Sequence, residues 1–257
     1  MFKQNNNSKY QERFQSVFKR YELKYLLTAQ QKEKILAEMK PHMSLDQFGR
    51  TSIRNLYYDT DTYRLVRRSI EKPTYKEKIR IRSYGQATAD STVFVELKKK
   101  YMDVVYKRRV PLLNEKAVGW LSAVTHPDEH TQIAQEIDYF IEQYRTLHPA
   151  VFLSYEREAY YANDGSDFRV TFDDTILCRQ EDLSLASENY GQPILPDGKV
   201  LMEIKCSGGI PLWLTEFLSK EKIYKTSFSK YGMAYQMLIF PKTHRINTYN
   251  KLEVVDR

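Results

Sequence analysis

At 257 residues, with 42% hydrophobic and 13% aromatic side chains, the chain can bury the core of one large domain or two small ones, which excludes a disordered polypeptide. Its net charge of +7 points to an anionic partner, whether nucleotide, polyphosphate, nucleic acid or membrane surface. Two cysteines without C-x-x-C spacing, Cys178 and Cys206, exclude a disulfide framework or cysteine zinc site, and no apolar run is long enough to cross a bilayer.

The opening MFKQNNNSKYQE is polar and lacks the apolar core of a signal peptide, so a soluble cytoplasmic protein is expected. Residues 1–13 are expected to be disordered, with one domain over 14–241 and a tail over 242–257. Period-two alternation predicts a first strand over 17–27. Thr28 and Gln31 then form a capping box ahead of Ile35, Leu36 and Met39, and Pro41 ends that helix. Further alternation predicts strands over 77–83, 92–99 and 104–112. A helix carries Ile133, Ile137, Phe140, Tyr144 and Leu147 between Pro127 and Pro149. Strands follow over 151–161, 167–173 and 199–206, then helices from about 211 to 223 and 229 to 240, the last stopped by Pro241. Turn chemistry joins them at Tyr84-Gly85, Asn163-Asp164-Gly165 and Pro196-Asp197-Gly198. Long strand runs with irregularly spaced helices predict an α+β domain with a mostly antiparallel sheet.

Side chains two apart share a sheet face, so Lys78, Arg80 and Arg82 point one way while Ile79 and Ile81 point the other. The split recurs. Glu22 and Lys24 oppose Tyr21, Leu23 and Tyr25; Glu96 and Lys98 oppose Val95 and Leu97; Arg169 opposes Val170 and Phe172; Glu203 and Lys205 oppose Met202 and Ile204. On any one strand this is the solvated face of an ordinary sandwich. Across all of them, one face is dominated by Arg and Lys, and like charges on neighbouring strands repel. A sheet curled so that this face lines a water-filled tunnel, with the apolar face covered by helices, resolves the conflict if phosphates occupy the tunnel. Arg offers phosphate a forked pair of donors, Lys a point charge, and a carboxylate can hold an accompanying divalent cation.

RYELKYLL (20–27), KIRIR (78–82), VELK (95–98), YERE (155–158), FRVTFDD (168–174), LMEIK (201–205) and SFSKYG (227–232) follow the order found in the VTC domain. The chain therefore resembles the polyphosphate polymerase domain of the vacuolar transporter chaperone family, a branch of the CYTH-like triphosphate tunnel metalloenzymes. The resemblance covers roughly residues 14 to 241. It implies a closed antiparallel β tunnel with a basic interior that binds ATP and transfers its terminal phosphoryl group to a growing polyphosphate chain. It implies a basic wall of Lys24, Arg80, Arg82, Lys98, Lys107, Arg157 and Arg169, with Tyr155 beside the phosphates. Glu203 matches the carboxylate for Mn2+ or Mg2+, and Ser229 with Lys230 the pair opening the last helix.

Arg80, Arg82, Lys98, Arg157, Arg169 and Lys230 are thus expected to act on the transferring group. Lys24, Lys78, Lys107, Tyr155, Lys205 and Ser229 are expected to hold substrate. Ser229 also reads as an N-cap on its own terms, and a helix N-terminus offers N–H groups to an anion. A hydrolase would instead need a carboxylate to position water, for which Glu22 and Glu96 are candidates, and a basic module that only binds polyphosphate is the third reading. Nucleic acid is disfavoured, because it calls for cations on an open face. The better-known eukaryotic members carry a membrane pore and regulatory domains that are not found here, so the product is expected to stay in the cytoplasm or pass to a separate membrane partner. His126 and His130 have ligand-like spacing, but Pro127 interrupts it. His42, His148 and His244 read as exposed, the CSGG stretch (206–209) as a bend, and most strand tyrosines as packing on the apolar face.

Overall fold

The computed structural model describes residues 18–243 apart from 103 and 128–130. Residues 1–13, His130, His244 and all of the expected tail beyond 243 lie outside the described residues. Strand β1 (Phe18–Thr28) leads into α1 (Ala29–Met39), where the predicted capping box forms in both directions between Thr28 and Gln31. There follow β2 (Met43–Leu45), β3 (Thr51–Asp59), α2 (Arg64–Ile70), β4 (Tyr75–Tyr84), β5 (Thr92–Tyr101) and β6 (Val104–Leu113). Helices α3 (Asn114–Leu121) and α4 (Gln132–Gln143) precede β7 (His148–Ala162), β8 (Arg169–Arg179), β9 (Gln192–Pro193) and β10 (Lys199–Cys206). The chain closes with α5 (Leu212–Lys220), α6 (Lys230–Ala234) and a π turn over Tyr235–Ile239. This is an α+β fold whose strand pairings are all antiparallel.

Neighbouring strands run β7-β3-β4-β5-β6-β1-β10-β8, and a β7–β8 ladder joins the two ends of that row, so eight strands complete a circuit. Short β2 and β9 attach outside it, on β7 and β8. Among the described residues, the β1–β6 seam runs from Phe18↔Lys107 to Arg20↔Val105. Beyond it, the segment before α6 takes the edge of β1: Tyr25 bridges Lys225, and Thr226 N–H donates to the Lys24 carbonyl at 2.7 Å. Lys225 is therefore a strand-edge residue.

Ile79, Ile81, Val93, Val95 and Leu97 point outward into a core capped by Trp120 of α3 and Ile137 and Phe140 of α4. Tyr25, Leu27, Val170, Phe172, Met202 and Ile204 form a second outer core with Ile35 of α1 and Leu214 of α5. Fully burying such side chains stabilises by roughly 1.5–3 kcal/mol each, which fixes the register and turns the opposite residues inward. A third core joins Ile53, Tyr57, Leu153, Tyr155 and Leu201 to Phe228, Tyr231, Ala234 and Tyr235 of the C-terminal segment. Not every helix is therefore packed outside: α6 meets inward-facing residues and covers one end of the circuit.

Several local expectations change. Pro241 does not stop the last helix, which continues through 243. Phe240 N–H bonds the Tyr235 carbonyl five residues back, and this wider turn eases the clash between a proline ring and the preceding turn. The helix expected to reach Leu147 ends at Gln143, although Tyr144 and Leu147 still pack on the first core. His42 stacks on Trp213, with centroids 4.5 Å apart, and is not exposed as expected.

Candidate functional site

The inward parity of β4, β5 and β6 brings four cations onto one carboxylate. Arg80 Nε and Nη2 donate to Glu96 Oε2 at 2.9 and 2.7 Å, while Arg109 Nε and Nη2 donate to Oε1 at 2.9 and 2.6 Å. Lys107 Nζ lies 2.6 Å from Oε1 and Arg82 Nε 3.7 Å from Oε2. Burial alone would raise the pKa of Glu96, which is 1% exposed, but Arg82, Lys107, Arg80 and Arg109 together hold it well below the usual carboxylate range. Both arginines on β4 are also oriented from β3 and β7. Arg80 donates to Tyr57 Oη at 2.7 Å, and Arg82 to Asn55 Oδ1 at 2.9 Å and Tyr155 Oη at 3.0 Å.

On the opposite wall, Asp173 of β8 and Glu203 of β10 share their cations. Arg157 forks onto Asp173 at 2.6 and 2.7 Å and reaches Glu203 at 3.5 Å. Lys230 pairs with Asp173 and lies 3.1 Å from Glu203. Lys24 and Lys205 lie 3.3 and 3.5 Å from the two Glu203 oxygens. Burial opposes ionisation of both carboxylates; Lys230 and Lys24 for Glu203, and Arg157 and Lys230 for Asp173, outweigh it and lower both pKa values. Lys230 is raised in return, because Asp173 and Glu203 overcome its desolvation. Glu22 links the walls, 2.6 Å from Lys98 and 4.0 Å from Lys205.

Ser229 caps α6, accepting from Gly232 N–H at 3.1 Å, and Lys78 Nζ donates to its hydroxyl at 2.9 Å. Burial, then Lys98, Lys24, Lys76 and Arg80, push the Lys78 pKa down to about 7; burial lowers that of Lys205 to about 8 and brings Lys107 well below the usual lysine value. Lys78 and Lys98 are direct cross-strand partners, a like-charge pairing that costs stability. Among the residues expected at the site, Arg169 stands apart, 3.8 Å from Asp46 and over the ring of Tyr161 at 4.5 Å.

The fold thus gathers the expected residues on its enclosed side and adds two that were not singled out. Arg109 shares a face with Lys107, and Asp173 with Arg169, so strand parity was the available signal. The inward faces also carry Tyr57 and Tyr155, which bond the arginines and are not outer packing. Among the described residues, His126 makes a 3.4 Å contact to Asp138. Among the described residues, no three His, Cys, Asp or Glu side chains converge on a metal position. Asp173 and Glu203 do converge on Lys230, and Mg2+ is commonly held by one or two carboxylates together with substrate phosphates. The donor set fits an ion that arrives with phosphate.

A candidate adenylate cyclase from Bacillus halodurans is similar in structure, with a TM-score of 0.53 at 13% identity over 87% of this chain and 99% of that one. A candidate adenylyl cyclase from Hippeastrum, described as having a dominant triphosphatase activity, gives a TM-score of 0.50 at 13% identity over 85% of this chain and 96% of its own. These likenesses concern the fold. No curated protein matches the sequence. The VTC domain, however, matches residues 19–239, nearly the whole circuit and its C-terminal helix. The chain belongs to the VTC domain family.

Proposed function

We propose that this protein is a polyphosphate polymerase that transfers the γ-phosphoryl group of ATP to the end of an inorganic polyphosphate chain. The observation that carries the reading is the excess of cations on the enclosed face: carboxylates are spread among clusters of Arg and Lys, and phosphate oxygens are the natural replacement counter-ions. Arg80, Arg82 and Lys98 from one wall and Arg157 and Lys230 from the other bind and orient the transferring group. Lys24, Lys78, Lys107, Lys205, Tyr155 and Ser229 hold the flanking phosphates. Arg169 steers phosphate from the rim.

The bond from the β,γ-bridging oxygen to the γ-phosphorus breaks, a terminal phosphate oxygen of the chain bonds that phosphorus, and ADP leaves. That nucleophile is already ionised, so no general base is required. Mn2+ or Mg2+, held by Glu203 and Asp173 with the phosphates, would neutralise charge moving onto the leaving oxygens.

Hydrolysis is the second reading, suggested by the fold shared with the Hippeastrum triphosphatase. Glu22 and Glu96 argue against it, since cations hold both far below the pKa of an effective base at neutral pH. A nucleic-acid reading also fares poorly, because the clustered cations face inward. The proposed reaction is a cytoplasmic one. Among the described residues, no helix is long and apolar enough to cross a membrane.

The test is incubation with ATP, Mn2+ or Mg2+ and a short polyphosphate primer, following ADP, free phosphate and chain length together. ADP with lengthening chains, abolished by Glu203→Gln, supports the polymerase. Free phosphate without chains makes the protein a hydrolase, and tight polyphosphate binding without turnover makes it a binding module.

A further inference from the structure

Toward the end away from α6, the charged inner wall becomes aromatic. Tyr84 continues the inward row of Lys78, Arg80 and Arg82 on β4, and Phe94 opens the row of Glu96 and Lys98 on β5, facing Arg82 across the ladder. Tyr84 is 50% exposed although it shares the inward parity of that row. It meets Phe94 edge to face at 5.8 Å, and its hydroxyl accepts from Arg109 Nη2 at 3.1 Å. The Arg109 guanidinium stacks over Phe94 at 4.4 Å while also holding Glu96. A half-exposed aromatic side chain is therefore tied through Arg109 to the cluster around Glu96. The other end is covered by Tyr231 and Tyr235, packed against Asp59 and Tyr63.

We infer that Tyr84, backed by Phe94 and Arg109, is the nucleobase platform of the site, and that it takes purine nucleoside triphosphates with the base at this rim and the triphosphate directed at Arg82 and Arg80. The inference rests on the proposed use of a nucleotide and adds where the base sits. At about 3.3 Å per strand residue, Tyr84 and Arg80 stand roughly 13 Å apart, comparable to the reach of an extended nucleotide from base to terminal phosphate. Stacking responds to the area of a ring more than to its edge, so ATP and GTP bind alike and UTP more weakly.

Calorimetric titration of the full chain with ATP, GTP, UTP and inorganic tripolyphosphate, in the presence of Mg2+, tests this. Tyr84→Ala is expected to weaken ATP and GTP by about tenfold, to the level of UTP, and to leave tripolyphosphate unchanged. Tyr84→Phe retains the ring and the purine preference, which separates stacking from any disturbance of Arg109. Equal weakening of ATP and tripolyphosphate, or no weakening of ATP, overturns the platform while leaving the phosphate site in place. Failure of the unaltered protein to bind either ligand overturns the proposed function as well.

Discussion

Lys78 offers the sharpest test of the enclosed site, because its pKa of about 7 puts its charge change where binding can be measured. Its causes are burial and the neighbouring cations Lys98, Lys24, Lys76 and Arg80, all of which disfavour the ammonium. At pH 8 about nine-tenths of Lys78 is neutral, whereas phosphates beside it favour the charged form. Binding of tripolyphosphate should therefore take up about 0.9 proton at Lys78, with about 0.5 more at Lys205, whose pKa is about 8. The terminal phosphates are themselves ionised at this pH, since their second pKa is about 6. From Lys78 alone, affinity falls by up to about tenfold per pH unit above 7. Calorimetry in two buffers of different ionisation enthalpy counts the protons, and Lys78→Met should remove the larger share. Equal uptake in both proteins would refute the placement of Lys78 beside bound phosphate. The sign for stability is opposite to that for affinity. The unfolded chain holds this proton up to the ordinary lysine pKa, so the contribution of Lys78 to unliganded stability rises with pH between about 7 and 10.

Glu96→Gln leaves Arg80, Arg82, Lys107 and Arg109 without their shared counter-ion and should destabilise the unliganded protein by about 3–5 kcal/mol in urea unfolding. Added tripolyphosphate should restore much of that loss, and a variant as stable as the parent would contradict the clustering. Asp59→Ala strips acceptors from the N–H groups of Thr60, Leu65 and Val66 and from the Tyr231 hydroxyl, a loss of about 2–4 kcal/mol expected in the same assay. Thr28→Ala removes one side of the capping box and should cost only about 1 kcal/mol, read as a small shift in the urea midpoint.

Seven of the eight circuit strands are legible from alternation because one face of each packs under helices and the other carries charge. Strand β3 is not, since Ile53 and Tyr57 pack toward the C-terminal segment while Leu56 and Tyr58 face the outer core, leaving no polar face to mark the period. Helix α2 is hidden for a different reason. Its N-cap position, Tyr63, has φ of 54° and no capping side chain, and the free N–H groups of Leu65 and Val66 go to Asp59, which lies outside any local capping pattern. Arg109 and Asp173 were visible as inward-parity residues, but nothing local distinguishes them from other strand charges.

Sequence by itself determined the strand faces, the capped helix after β1, and the association of cations and carboxylates on one side of the sheet, because period-two burial and local hydrogen bonding depend on neighbours two to four residues apart. Only the tertiary structure decided which charges meet. Glu96 of β5 gathers residues from β4 and β6; Lys230 crosses to carboxylates on β8 and β10; and the last helix continues past Pro241. Those pairings, and the pKa shifts they produce, depend on the register of ladders between strands far apart in the chain, which no local pattern encodes.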